Sequence, residues 1–133
     1  MSVVVGYVPD ATGWLAVRQA AQEAKWRATD VVVVNVVDAA GFTRPTAADE
    51  KNLDAIAADL TAAGVEFSIR QVEQSSTTRA EEILNIADET QAELIVVGVK
   101  RTSAVVKAVL GSTVQRVVAG AHCPVLSVRA EDD

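Results

Sequence analysis

Short runs of valine, almost unbroken by polar residues, constrain this chain more than any other feature. Val3 to Val5 leads into Gly6, and Val31 to Val34 continues through Asn35 to Val36 and Val37. Leu94 to Val97 leads into Gly98, and Val125, Leu126 and Val128 follow Pro124. Valine is stiff at its branched β-carbon and favours the extended backbone. A strand that is apolar on both sides has no face for water, so it must be covered above and below. The segment from Val65 to Val72 differs. Val65, Phe67 and Ile69 point one way, and Glu66, Ser68 and Arg70 the other. Such alternation marks a half-exposed strand and places it at a sheet edge.

Between these runs the period changes to that of a helix. Thr12 is positioned to cap a helix running to Arg27, with Leu15, Val17, Ala20 and Ala24 available to a sheet. From Thr46 to Ala63, Leu53, Ile56, Leu60 and Ala63 recur at steps of three and four, and Gly64 stops the helix. Thr78 and Glu81 form a capping-box pattern ahead of Ile83, Leu84 and Ala87. A last helix is expected from Ser112 to Gly120, and the stretch from Ala39 to Pro45 reads as a loop. The order is β-α-β-α-β-α-β-α-β. Parallel strands need crossovers, and each helix supplies one. The expected architecture is a three-layer αβα sandwich around a parallel sheet. The 133 residues, half of them hydrophobic, suit a single domain spanning 1–133. Only Glu131 to Asp133 reads as a frayed tail.

Charge narrows the function classes. The net charge of −6 argues against general nucleic-acid binding, which needs a basic face. Cys123 is the one cysteine, so an internal disulfide framework is excluded and a reducing cytoplasm is the expected compartment. No apolar run approaches the ~20 residues of a membrane helix, and no signal-peptide pattern opens the sequence.

Ligands of open α/β sheets sit beyond the carboxyl ends of the strands. Gly6 to Thr12, Val36 to Ala40 and Gly98 to Thr113 fall there. The last is the most informative. Gly98 lacks a β-carbon and admits close approach of a backbone or a ligand. Gly111, Ser112 and Thr113 open a helix, whose free N–H groups and dipole suit a phosphate. Lys100, Arg101 and Lys107 bring three of the chain's twelve cationic side chains to the intervening stretch. A cap and a solvated loop would account for the same residues one by one. Their spacing adds to the ligand reading.

That spacing resembles the universal stress protein family, whose nucleotide-binding members carry Gly-x-x-Gly, nine residues, then Gly-Ser/Thr. Gly98 matches the first glycine, Gly111 and Ser112 match the closing pair, and Arg101 replaces the second glycine. Val31 to Asp38 is similar to the family's second strand, and His122-Cys123-Pro124-Val125-Leu126 to its Cys-Pro-Val ending. The resemblance implies an adenine nucleotide alpha hydrolase-like fold with strand order 3-2-1-4-5. It implies an ATP-binding regulatory or stress-response module, at most a slow ATPase, with Mg²⁺ as a candidate companion of the nucleotide. Position by position, it carries over the first strand's exit (Gly6, Tyr7, Val8), the adenine contact (Val36), and the ribose and phosphate contacts (Gly98, Gly111, Ser112, Thr113), with Lys100 and Arg101 beside them. Val8 stands where the family has an aspartate, and Asp10 nearby is the candidate substitute. Arg101 would either block backbone approach or grip a phosphate, and the flanking cations favour the grip. The resemblance also implies a homodimer through the last strand, an exposed edge. The alternative is a dimeric interaction protein of this fold that binds no nucleotide, motivated by Val8 and Arg101.

Catalytic and metal sites are not expected. His122 is the single histidine and has only Cys123 beside it. Cys123 reads as a packed residue, and Trp14 and Trp26 as cover for the sheet or an interface. No Ser-His-Asp arrangement is evident, and the first strand lacks the acidic pair of a phosphorylated receiver.

Overall fold

The computed structural model describes residues 1–37, 48–73, 77–99 and 111–129. The loop from Ala39 to Pro45, the proposed helix start at Thr46, the tail from Glu131, and Lys100, Arg101 and Lys107 lie outside them. The elements run β1 (Ser2–Gly6), α1 (Ala11–Arg27), β2 (Asp30–Val37), α2 (Glu50–Ala62), β3 (Phe67–Glu73), α3 (Arg79–Glu89), β4 (Leu94–Val99), α4 (Ser112–Gly120) and β5 (Val125–Arg129). The described strands form one parallel sheet ordered β3-β2-β1-β4-β5. β3 and β5 are its edges, as the alternation of β3 and the position of the last strand predict.

Strand alternation divides the core into two layers. Val3, Val5, Val31, Val33, Leu94 and Val96 face α1 and α2. Val4, Val32, Val34, Ile95 and Val97 face α3 and α4. The central strands are almost wholly removed from water, Val3, Val4 and Val5 among them. Each such valine contributes about 1.5–3 kcal/mol relative to an exposed one.

Helix boundaries correct several expectations. Asp10, not Thr12, caps α1, because its carboxylate accepts the Gly13 N–H at 2.8 Å. An aspartate outcompetes the threonine two residues on, whose hydroxyl donates to the same carboxylate at 2.6 Å. Leu15 is only half-buried, and Ala16 and Ala21 take core positions beside Val17, Ala20 and Ala24. Small residues let this helix lie close on the sheet. α2 begins behind Asp49, which forms a reciprocal capping box with Asn52. In α3 the Thr78 hydroxyl accepts the Glu81 N–H at 3.2 Å, and that hydroxyl also donates to the Glu81 carboxylate. The last helix spans the predicted residues. The third strand starts at Phe67, two residues later than expected.

Candidate functional site

Parallel pairing carries the ends of β1, β2 and β4 to one side of the sheet. Gly6 lies level with Val34 on one neighbour and Val97 on the other. Beyond them a cavity of about 100 Å³ is lined by β1 and its exit (Gly6, Tyr7, Val8), by Val34 and Val36 of β2, and by Val97 and Gly98 of β4. Thr12 and Gly13 of α1, Arg79 of α3, and Thr113 and Val114 of α4 complete the lining. Ordinary small-molecule sites exceed ~300 Å³. The described walls therefore enclose only part of a nucleotide-sized ligand. A larger groove of about 530 Å³ runs between α1 and α2, away from the strand ends.

The α1 wall is built by close backbone contact. Tyr7 N–H donates to the Val34 carbonyl at 2.8 Å, and Asp10 N–H donates to the Val8 carbonyl at 2.8 Å. The turn between them brings Val8 against α1. A β-carbon on Gly13 would stand 1.9 Å from the Val8 oxygen. A β-carbon on Gly98 would stand 2.7 Å from the Thr12 oxygen. Gly98 thus admits a close approach, as its lack of a side chain predicts, and the neighbour that comes close is α1. The Asp10 carboxylate caps α1 and is not among the described residues that line the cavity.

Among the described residues, nothing crowds the start of α4. Gly111 caps α4 with φ −61° and ψ 159°, a conformation any residue adopts, and no described side chain caps the helix. The first amides of a helix lack intrahelical acceptors. In α4 these belong to Ser112, Thr113 and Val114, and the last two line the cavity. Gly111 and Ser112, which precede Thr113 in the chain, are exposed, and no described atom lies within 4 Å of a β-carbon built on Gly111.

A buried amide holds the rim. Asn35 is 0% exposed; its side-chain N–H donates to the Tyr7 carbonyl at 2.9 Å. Its oxygen accepts from Ala48 N–H and from the Gln71 side chain, each at 3.0 Å. Gln71 also donates to the Ala48 carbonyl at 2.8 Å. The network ties β1's exit to the start of α2 and to β3. Burial, then the charges of Asp10 and Asp49, push the Tyr7 hydroxyl above its usual value.

Of the sequence-predicted residues, Gly6, Tyr7, Val8, Val36, Gly98 and Thr113 line this cavity, Gly111 and Ser112 do not line it but precede Thr113 and are exposed, and Lys100 and Arg101 are outside the described residues. Sequence reasoning missed Gly13, Val34, Arg79, Val97 and Val114. Gly13 carried a signal, since a glycine inside a helical pattern usually has a packing reason. Arg79 carried another, as a cation at the positive end of a helix. His122 is exposed and pairs with Asp88 at 3.0 Å, away from the cleft. Burial, then Asp88, raise the Cys123 thiol, which opposes reactivity. Trp14 packs on the core, whereas Trp26 is 69% exposed. No group of three or more His, Cys, Asp or Glu among the described residues could hold a metal.

Comparison with known proteins decides the family. Residues 1–129 match the universal stress protein family. The chain belongs to that family. A universal stress protein of Mycolicibacterium smegmatis is 35% identical over 127 residues, 96% of either chain. A universal stress protein structure from Archaeoglobus fulgidus superposes with a TM-score of 0.79 at 26% identity, over 96% of this chain and 97% of that one. A structure of the universal stress protein from the same organism in complex with dAMP superposes at 0.72 with 23% identity, over 96% of each chain. The universal stress protein fold, adenine nucleotide alpha hydrolase-like with strand order 3-2-1-4-5, is the one seen here.

Proposed function

We propose that this universal stress protein domain, one domain over 1–133, is a regulatory module that binds ATP or a related adenine nucleotide, with or without Mg²⁺. The observation that carries the reading is the uncapped start of α4, opening onto a cavity walled by apolar strand ends. The base would lie against Val34 and Val36, and the phosphates would take the amides of Ser112 to Val114, where dipole and unspent N–H groups favour anions. The dAMP complex of a structural relative supports an adenine ligand. Regulation rather than catalysis is favoured because Asp10 is committed to capping α1 and does not line the cavity to serve as base. No described helix is long and apolar enough to cross a membrane. The β5 edge is the proposed homodimer contact, and the cytoplasm the proposed compartment.

Calorimetry tests the site. The native protein should bind ATP, and Gly111→Val should weaken binding at least ~10-fold, since the valine adds bulk ahead of the α4 amides without straining the backbone. Absence of heat at millimolar ATP, or equal affinity in the variant, would overturn the proposal. Val8 favours one competing reading, a dimeric interaction protein that binds no nucleotide. Native mass spectrometry of freshly purified protein separates the two, since a co-purified nucleotide is expected only from the first.

A further inference from the structure

We propose that Arg79 is the phosphate-gripping side chain of this cleft and makes it prefer phosphorylated over unphosphorylated adenosine; the inference rests on the nucleotide reading above. Arg79 is the first residue of α3, directly behind its cap Thr78. It lines the same cavity as Thr113 and Val114. Among the described lining residues it is the one with a charged side chain.

Its bonding is incomplete. The Arg79 Nε is buried and has no hydrogen-bond partner. The ion pairs among the described residues belong to Arg27, Arg70 and His122. Glu81 and Glu82 share the first turn of α3, yet neither pairs with Arg79, and the Glu81 carboxylate instead accepts the Thr78 hydroxyl. Arg79 as a whole is half-buried, but a buried guanidinium N–H without an acceptor is destabilising. The position adds to the cost, because a cation at a helix N-terminus opposes the dipole. No contact within the described protein offsets either penalty.

An oxyanion in the cavity offsets both. α3 and α4 lie on one face of the sheet, with Ala80, Ile83, Val114 and Val117 in one cluster. Their N-terminal turns reach the cleft from neighbouring positions, Arg79 from one and Thr113 with Val114 from the other. A phosphate between them would accept from the guanidinium and from the α4 amides. The planar fork of arginine matches two phosphate oxygens at once, which a lysine ammonium does not. In an acidic chain, this local charge is what would draw an anion to the cleft.

The test is calorimetric titration of ATP, AMP and adenosine into the native protein, Arg79→Gln and Arg79→Lys, each checked for folding by circular dichroism. Arg79→Gln should weaken ATP and AMP by ~10–100-fold, the range for a hydrogen bond to a charged group. Adenosine should change by less than about twofold, since it offers no charge to the guanidinium. Arg79→Lys should recover only part of the loss. Equal ATP affinity in Arg79→Gln, or an equal loss for adenosine, would overturn the role of Arg79 and leave the nucleotide site standing. Were Arg79→Gln not to fold, Arg79→Lys decides: ATP binding as tight as native overturns the proposal, and a selective loss for ATP and AMP supports it. A native protein that binds neither ATP nor adenosine overturns both readings.

Discussion

The two walls of the cleft use glycine for opposite reasons. On the α1 side, protein occupies the space a side chain would need: Gly13 touches the Val8 carbonyl and Gly98 the Thr12 carbonyl. On the α4 side, Gly111 adopts an ordinary backbone conformation, and no described atom crowds it. Gly98 and Gly111 belong to one spacing motif, yet described protein fills the place of a side chain at the first and not at the second. A motif reports that a side chain is absent. It does not report what fills the gap.

Substitution by alanine separates the walls. Gly13→Ala should be the most damaging, at about 3 kcal/mol or more, because the obstacle is backbone and cannot rotate away. Helix propensity alone predicts the reverse sign, a gain of ~1 kcal/mol, so denaturant unfolding gives an unambiguous readout. Gly98→Ala should follow at about 1–3 kcal/mol, for the same reason at a longer contact. Gly111→Ala should lower stability by no more than about 1 kcal/mol, the difference between glycine and alanine at a cap. A large loss there would erase the distinction between the walls.

The smallest effect concerns pH and the closed wall. The Tyr7 hydroxyl is raised above its usual value of 10.0, chiefly by burial and next by Asp10 and Asp49. The unfolded chain therefore loses this proton first. Stability from Tyr7 is fully present below pH ~10 and falls as pH rises through the folded value. Tyr7→Phe should flatten that alkaline slope, measured as unfolding midpoints across the range.

The architecture was legible because valine runs leave strands no alternative to burial on both faces. Even the edge position of β3 followed, from its alternation. Caps were legible only in part. Asp10 and Thr12 both suit an N-cap, and the choice depends on the turn that brings Val8 against α1. The lining of the candidate cavity was legible where backbone ends must converge, at Gly6, Val36, Gly98 and Thr113. Arg79 was not, because sequence spacing does not show that α3 and α4 open side by side. Nor does spacing show a carboxylate already spent, as at Asp10.

Amide chemical shifts of the ¹⁵N-labelled protein during ATP titration report on the α4 amides themselves. Large, saturable shifts are expected at Ser112, Thr113 and Val114, with Ser68 on the far edge of the sheet unmoved. Saturable binding that leaves those three amides in place would put the nucleotide elsewhere and contradict a phosphate site at the start of α4.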